Sequence, residues 1–204
     1  MSDLVLLSDL DGVLVDSSAS VERAWRGWAA RHAIPFGAIE PVLHGVPSRQ
    51  TIARFAPHLD AERESQALDR EQAEDVDGVA ALPGAAVLLT GGYGRRFAIV
   101  TSCDERLARA RLDAARLPAP PVTITPDLVT RGKPDPEAYL VAAERLSAGP
   151  RECVVIEDAP AGVAAGRAAG MRVVAVTTTH HSGELREADA VIADLRELPD
   201  VLQR

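Results

Sequence analysis

Asp9-Leu10-Asp11-Gly12-Val13-Leu14-Val15-Asp16-Ser17 follows directly on Leu4-Val5-Leu6-Leu7, and the junction of the two decides how the chain is read. The run from Leu4 to Leu7 is short and continuously apolar, the pattern of a strand buried on both faces of a parallel sheet. Ionised carboxylates at the end of such a strand are costly unless they are paired or bound to a cation. Residues i and i+2 of an extended segment point the same way, so Asp9 and Asp11 can reach one centre. Gly12 permits the sharp turn that leaves the strand. The competing reading of the pair is an exposed turn before a helix.

The rest of the composition narrows the setting. The 204 residues, 47% of them hydrophobic, can bury one sizeable core and a modest second lobe. Thirty acidic side chains against 22 basic ones give a net charge of −8, which argues against nucleic acid or an anionic membrane as partner. A small anionic substrate stays open, because a bound cation can invert the local field. The sequence shows neither a basic segment followed by a long apolar run nor a stretch long enough to span a bilayer. Cys103 and Cys153 are too few for a disulfide framework. A cytoplasmic monomer is the expectation.

From residue 97 strand-like and helix-like stretches alternate. Phe97-Ala98-Ile99-Val100, Val122-Thr123-Ile124, Cys153-Val154-Val155-Ile156, Val173 to Val176 and Ala190-Val191-Ile192 read as strands. Helices are expected over 104–115, after Asp135 as N-cap with Pro136 in the first helical position and Tyr139, Ala142, Ala143 and Leu146 on one face, and from Pro160 to a stop at Gly170. This alternation predicts an α/β fold, a Rossmann-like parallel sheet with helices on both faces, whose ligands sit beyond the carboxyl ends of the strands. Residues 17–80 show no buried-strand pattern. Ser17 and Ser18 can cap a helix whose stripe is Val21, Trp25, Trp28 and His32, and Asp60 to Asp77 reads as an exposed helix. The expected division is a core of residues 1–16 and 81–204, with residues 17–80 forming a small helical cap inserted after the first strand.

Asp9-x-Asp11-Gly-Val-Leu-Val-Asp-Ser, Val100-Thr101-Ser102, Gly132-Lys133-Pro134 and Ile156-Glu157-Asp158-Ala159-Pro160-Ala161-Gly162 occur in order. Together they resemble the haloacid-dehalogenase-like hydrolase superfamily, in its branch of capped small-molecule phosphatases. The resemblance implies Asp9 as nucleophile, forming an aspartyl-phosphate, and Asp11 as general acid and then base. A dianionic substrate also needs charge neutralisation, and Mg²⁺ is the ordinary cation for phosphoryl transfer. Its ligands by resemblance are Asp9, the Asp11 carbonyl and Asp158, with Glu157 supporting directly or through water. Glu157 and Asp158 could instead simply begin the following helix. Lys133 is implied as a fixed charge for Asp9 and the phosphoryl group, and Thr101 and Ser102 as phosphate donors. Ordinary satisfaction of strand-end polar groups is the competing reading for the last two.

His44-Gly45-Val46-Pro47-Ser48-Arg49-Gln50-Thr51-Ile52 resembles the specificity loop of the glycerol-3-phosphatase and 2-deoxyglucose-6-phosphatase branch, with His44 and Arg49 as candidate substrate contacts; a plain helix–helix turn would look similar. The function expected is Mg²⁺-dependent hydrolysis of a small phosphorylated sugar or polyol. A β-phosphoglucomutase-like mutase is the alternative, and a phospho-accepting regulatory module a more distant one. Gly91-Gly92-Tyr93-Gly94 reads as a turn, Trp25 and Trp28 as interior packing, His180-His181 as an exposed loop, and Cys103 as a thiol near the site.

Overall fold

The computed structural model describes residues 4–43, 46–91 and 96–203. In chain order the elements are β1 (Val5–Ser8), β2 (Val15–Asp16), α1 (Ser18–Arg31), α2 (Phe36–Ile39), α3 (Ser48–Phe55), α4 (Ala61–Glu74), β3 (Ala80–Ala81), α5 (Ala85–Leu89), β4 (Arg96–Val100) and α6 (Glu105–Ala114). They continue with β5 (Thr123–Ile124), α7 (Glu137–Arg145), β6 (Cys153–Glu157), α8 (Pro160–Ala168), β7 (Arg172–Val176), β8 (Ala190–Ile192) and α9 (Leu198–Leu202). Six strands form one parallel sheet in the order β5-β4-β1-β6-β7-β8, so β1 lies centrally between β4 and β6.

Alternation along β1 separates two apolar layers, as the two-residue period of a strand requires. Val5 and Leu7 join Val100, Val155, Val173, Tyr139 and Ala142 on one face. Leu6 joins Ile99, Val154, Ile156, Val174 and Leu107 on the other. Both faces are therefore covered, as the uninterrupted apolar strands implied.

A third apolar cluster stands apart from the sheet: Val21, Trp25, Trp28, Ile39, Ile52 and Leu68, drawn from helices α1 to α4. Trp25 and Trp28 pack edge to face with ring centroids 5.4 Å apart, and the Trp28 indole donates to Glu64 Oε2 at 3.0 Å. The chain enters and leaves this helical insertion through one short antiparallel ladder, Val15 opposite Ala81 and Asp16 opposite Ala80.

Three local expectations need correction. Ser17 holds the N-cap position of α1, but its hydroxyl donates to Asp11 Oδ1 at 2.6 Å and makes no cap bond. In α7, Pro136 occupies the cap position, and Asp135 Oδ1 accepts from the Glu137 amide at 3.0 Å, so the helix begins one residue late. Helix α4 is more than a solvated face: Leu68 and Gln72 are buried, because its inner side packs on α1, α3 and α6.

Candidate active site

Asp9 continues the central strand, its amide donating to the Ile156 carbonyl at 2.9 Å. Thr101 follows β4, its amide donating to the Ile124 carbonyl at 2.9 Å. Glu157 ends β6, with Asp158 next to it. Three adjacent strands thus deliver their polar residues to one edge, the crevice where parallel sheets bind ligands.

At that edge Lys133 is buried and reaches three partners: Asp9 Oδ1 at 3.0 Å, Glu157 Oε1 at 2.6 Å and the Val100 carbonyl at 3.0 Å. Tyr139, read from the sequence only as one member of an apolar face, donates its hydroxyl to the same Glu157 oxygen at 2.6 Å. Glu157 Oε2 accepts the Asp158 amide at 3.2 Å. Asp158 Oδ2 accepts from the Thr179 hydroxyl. His180 is no loose loop residue, since its Nδ1 lies 3.1 Å from the Asp158 carbonyl. Two glycines allow this density. A Cβ on Gly12, whose φ is +77°, would fall 2.0 Å from Asp158 Oδ2, and one on Gly162 would fall 1.9 Å from Glu157 Oε1.

Oxygens of Asp9, Glu157 and Asp158 lie within 4.8 Å of one another, all three residues buried. Burial pushes the Asp9 carboxyl up to about 7, against the opposing pull of Lys133. Burial likewise drives Asp158 well above the usual carboxylate range, with Asp9 and Glu157 adding to the rise. Lys133 is held above its ordinary value, because the attraction of Asp9 and Glu157 outweighs its own desolvation. One ammonium does not balance three buried carboxylates. An all-oxygen anionic donor set of this kind fits a hard divalent cation such as Mg²⁺.

Asp11 does not join that cluster through its side chain. Its carboxylate accepts from Ser17 Oγ at 2.6 Å and Cys103 Sγ at 3.0 Å, and from Arg111 Nη1. Arg111, on α6, also donates through Nη2 to Gln72 Oε1 on α4 at 2.6 Å. Neither Arg111 nor Gln72 was singled out from the sequence. A signal was present: Arg111 interrupts the helical stripe Leu107, Ala108, Leu112, and Gln72 follows Leu68 by four residues.

A hollow of about 70 Å³ is lined by Asp9, Asp11, Asp158, Trp25, Thr101 and Ser102 among others. It shares Ser48, Asp69, Thr101 and Ser102 with a cavity of about 550 Å³ between the insertion and the core. Arg49 and Lys133 line the larger cavity; Arg49 is exposed and 3.5 Å from Glu62. His44 lies outside the described residues. Asp69, on the inner side of α4, is pushed up to about 7 by burial and by Asp104, with Arg111 and Ser48 opposing.

A parallel α/β sheet with a carboxylate, a lysine and an acidic oxygen cluster at its carboxyl edge is an arrangement suited to phosphoryl transfer. The family model for haloacid dehalogenase-like hydrolases matches residues 5–170, and the chain belongs to that family. It is 43% identical over 197 residues to hexitol phosphatase A of Escherichia coli strain K12, covering 94% of this chain and 91% of that protein. It is 32% identical over 216 residues to 2-deoxyglucose-6-phosphate phosphatase 2 of Saccharomyces cerevisiae, covering 94% of this chain and 88% of that protein. A hydrolase from Pseudomonas syringae superposes with a TM-score of 0.84 at 27% identity, with 98% of both chains covered.

Proposed function

We propose that this phosphoric monoester hydrolase releases phosphate from a small phosphorylated sugar or polyol, with Mg²⁺ and through an aspartyl-phosphate on Asp9. The observation that carries the reading is the buried Asp9–Lys133 pair, 3.0 Å apart, beside the Glu157–Asp158 cluster and at the floor of a polar cleft. Hexitol and 2-deoxyglucose-6-phosphate are named for the two relatives, and both classes suit a cavity of about 550 Å³ lined by Ser48, Gln50, Ser65, Gln66 and Asp69.

In this reading the phosphate enters the small hollow and the polyol lies in the larger cavity. Residues 17–80 serve as the cap that closes over both. Mg²⁺ held by Asp9, Asp158 and the Asp11 carbonyl would neutralise charge on the phosphoryl oxygens. Asp9 Oδ attacks phosphorus, and Asp11 gives its proton to the departing alkoxide. The deprotonated Asp11 then takes a proton from the water that hydrolyses the aspartyl-phosphate. Lys133 holds Asp9 in place and adds positive charge where the transition state spreads negative charge. Thr101 and Ser102 donate to the phosphoryl oxygens. Glu157, whose oxygens already accept from Lys133, Tyr139 and the Asp158 amide, acts by fixing Lys133.

The test is phosphate release across a panel of hexitol, hexose and polyol phosphates, with Mg²⁺ and with chelator, on the native chain and on Asp9→Asn. Release confined to a few of these substrates, dependent on Mg²⁺ and lost in Asp9→Asn, is the expected result. Near-normal turnover by Asp9→Asn would remove the nucleophile, and isomerised sugar phosphate with little free phosphate would make the chain a mutase.

A further inference from the structure

The proposed mechanism makes no use of the most buried arginine facing the site. Arg111 has a side chain 3% exposed and spans the contact between insertion and core. Its Nη1 bonds Asp11 Oδ2 and lies 2.8 Å from Cys103 Sγ, and its Nη2 bonds Gln72 Oε1 at 2.6 Å. Gln72 is itself buried, and its Nε2 turns to the Leu68 carbonyl at 3.5 Å, which aims Oε1 at α6. Arg111 Nε is the one buried side-chain nitrogen or oxygen among the described residues without a hydrogen-bond partner.

Stability does not account for this arrangement. A buried ion pair gains little over apolar side chains of similar volume, and an unpaired buried donor costs free energy outright. The flanking Leu107, Ala108 and Leu112 show that an aliphatic residue would suit the same stripe.

We infer that Arg111 is a positioning residue for Asp11 and that Gln72 sets it, so that docking of α4 on α6 orients the acid–base carboxylate at the mouth of the hollow above Asp9. The inference rests on the acid–base reading of Asp11 given under the proposed function. When α4 lies against α6, the guanidinium is held from one side by Gln72 and presents Nη1 to Asp11 on the other. Ser17, at the neck of the insertion, bonds the second Asp11 oxygen at 2.6 Å. Withdrawal of α4 removes the Gln72 bond and frees the guanidinium to turn from the carboxylate.

The leaving group provides the readout. An alkoxide needs a proton as it departs, whereas p-nitrophenolate leaves without one, and kcat/KM reports the steps up to that departure. The experiment compares kcat/KM for a hexitol phosphate and for p-nitrophenyl phosphate in the native chain, Asp11→Asn, Arg111→Met, Gln72→Leu and the Gln72→Leu/Arg111→Met double variant, all with Mg²⁺. Arg111→Met is expected to follow Asp11→Asn, losing about 100-fold on the alkyl ester and under about 5-fold on the aryl ester. Gln72→Leu should lose less, with the same bias, and the double variant should be no worse than Arg111→Met. Equal losses on both esters in Arg111→Met and Gln72→Leu would mark a merely structural role and overturn the inference. Additive losses in the double variant would break the link from Gln72. Should Arg111→Met not fold, Gln72→Leu decides by its bias alone. If Asp11→Asn itself falls equally on both esters, its acid role fails and takes this inference with it.

Discussion

Gly162→Ala separates local helix preference from the packing of the site, because the two predict opposite signs. Gly162 lies in the first turn of α8, where alanine is intrinsically favoured over glycine by about 1 kcal/mol. Its added methyl would fall 1.9 Å from both Cδ and Oε1 of Glu157 and 2.2 Å from Oε2. Ordinary contact begins near 3.4 Å, so the carboxylate has to retreat by 3.4 − 1.9, about 1.5 Å. Glu157 is fully buried, with Tyr139 and Lys133 both 2.6 Å from Oε1, and the retreat breaks both contacts. Losing two charge-assisted hydrogen bonds to the carboxylate costs about 3–6 kcal/mol, and overpacking adds about 1–3 kcal/mol. Partial relaxation and the helix preference offset some of this, leaving a net loss of about 3 kcal/mol. For a chain of this length that lowers Tm by about 6–12 °C. Calorimetric or fluorescence melting measures it, and phosphate release should fall at least about tenfold as Lys133 shifts from Asp9. A variant that melts at or above the native temperature would refute the claim that Gly162 exists to admit Glu157.

Asp158→Asn should raise the melting temperature in chelator, by an amount that grows as pH rises above about 4, because it removes a buried carboxylate whose ionised form is disfavoured by burial and by Asp9. The same variant should lose the upward shift that Mg²⁺ gives the native chain, and an unchanged Mg²⁺ shift in melting would remove Asp158 from the metal set. Asp69, pushed from 3.8 to about 7, favours its neutral form in the fold, so its contribution is complete below about pH 4 and is lost as pH rises to about 7. Asp69→Asn should therefore gain on the native chain over that window by at most about 4 kcal/mol, and denaturant titrations at pH 5 and pH 8 giving equal differences would contradict this. Lys133→Met should cost several kcal/mol of transition-state stabilisation, about 3 or more, read from kcat/KM; a change below about 1 kcal/mol would remove it from the site.

Strand ends made the site legible in advance. Asp9, Thr101, Glu157 and Asp158 each close or follow an apolar run, and a parallel sheet carries all such ends to one edge whatever their distance in sequence. Lys133 sits in a loop with no periodic signal, and only its place between two motifs singled it out. Tyr139 was visible as part of an apolar helix face, but its hydroxyl bond to Glu157 was not. Ser17 has the residue type and position of a cap, but its hydroxyl is taken by Asp11, a partner that its local sequence pattern does not announce.

The amino-acid order by itself determined the alternation of strands and helices, the parallel sheet they make, the interruption by helices after the first strand, and the carboxylates at the central strand's tip. Those follow from local periodicity, which is legible over a few neighbouring residues, and from the cost of burying charge, which makes a carboxylate at the end of an apolar run conspicuous. Only the tertiary structure decided that Arg111 and Gln72 meet above Asp11, that Asp69 faces inward, and that Gly162 makes room for Glu157. Such pairings depend on the rotation of each helix about its axis and on the seating of the insertion against the core, which long-range packing sets and no short stretch of residues encodes.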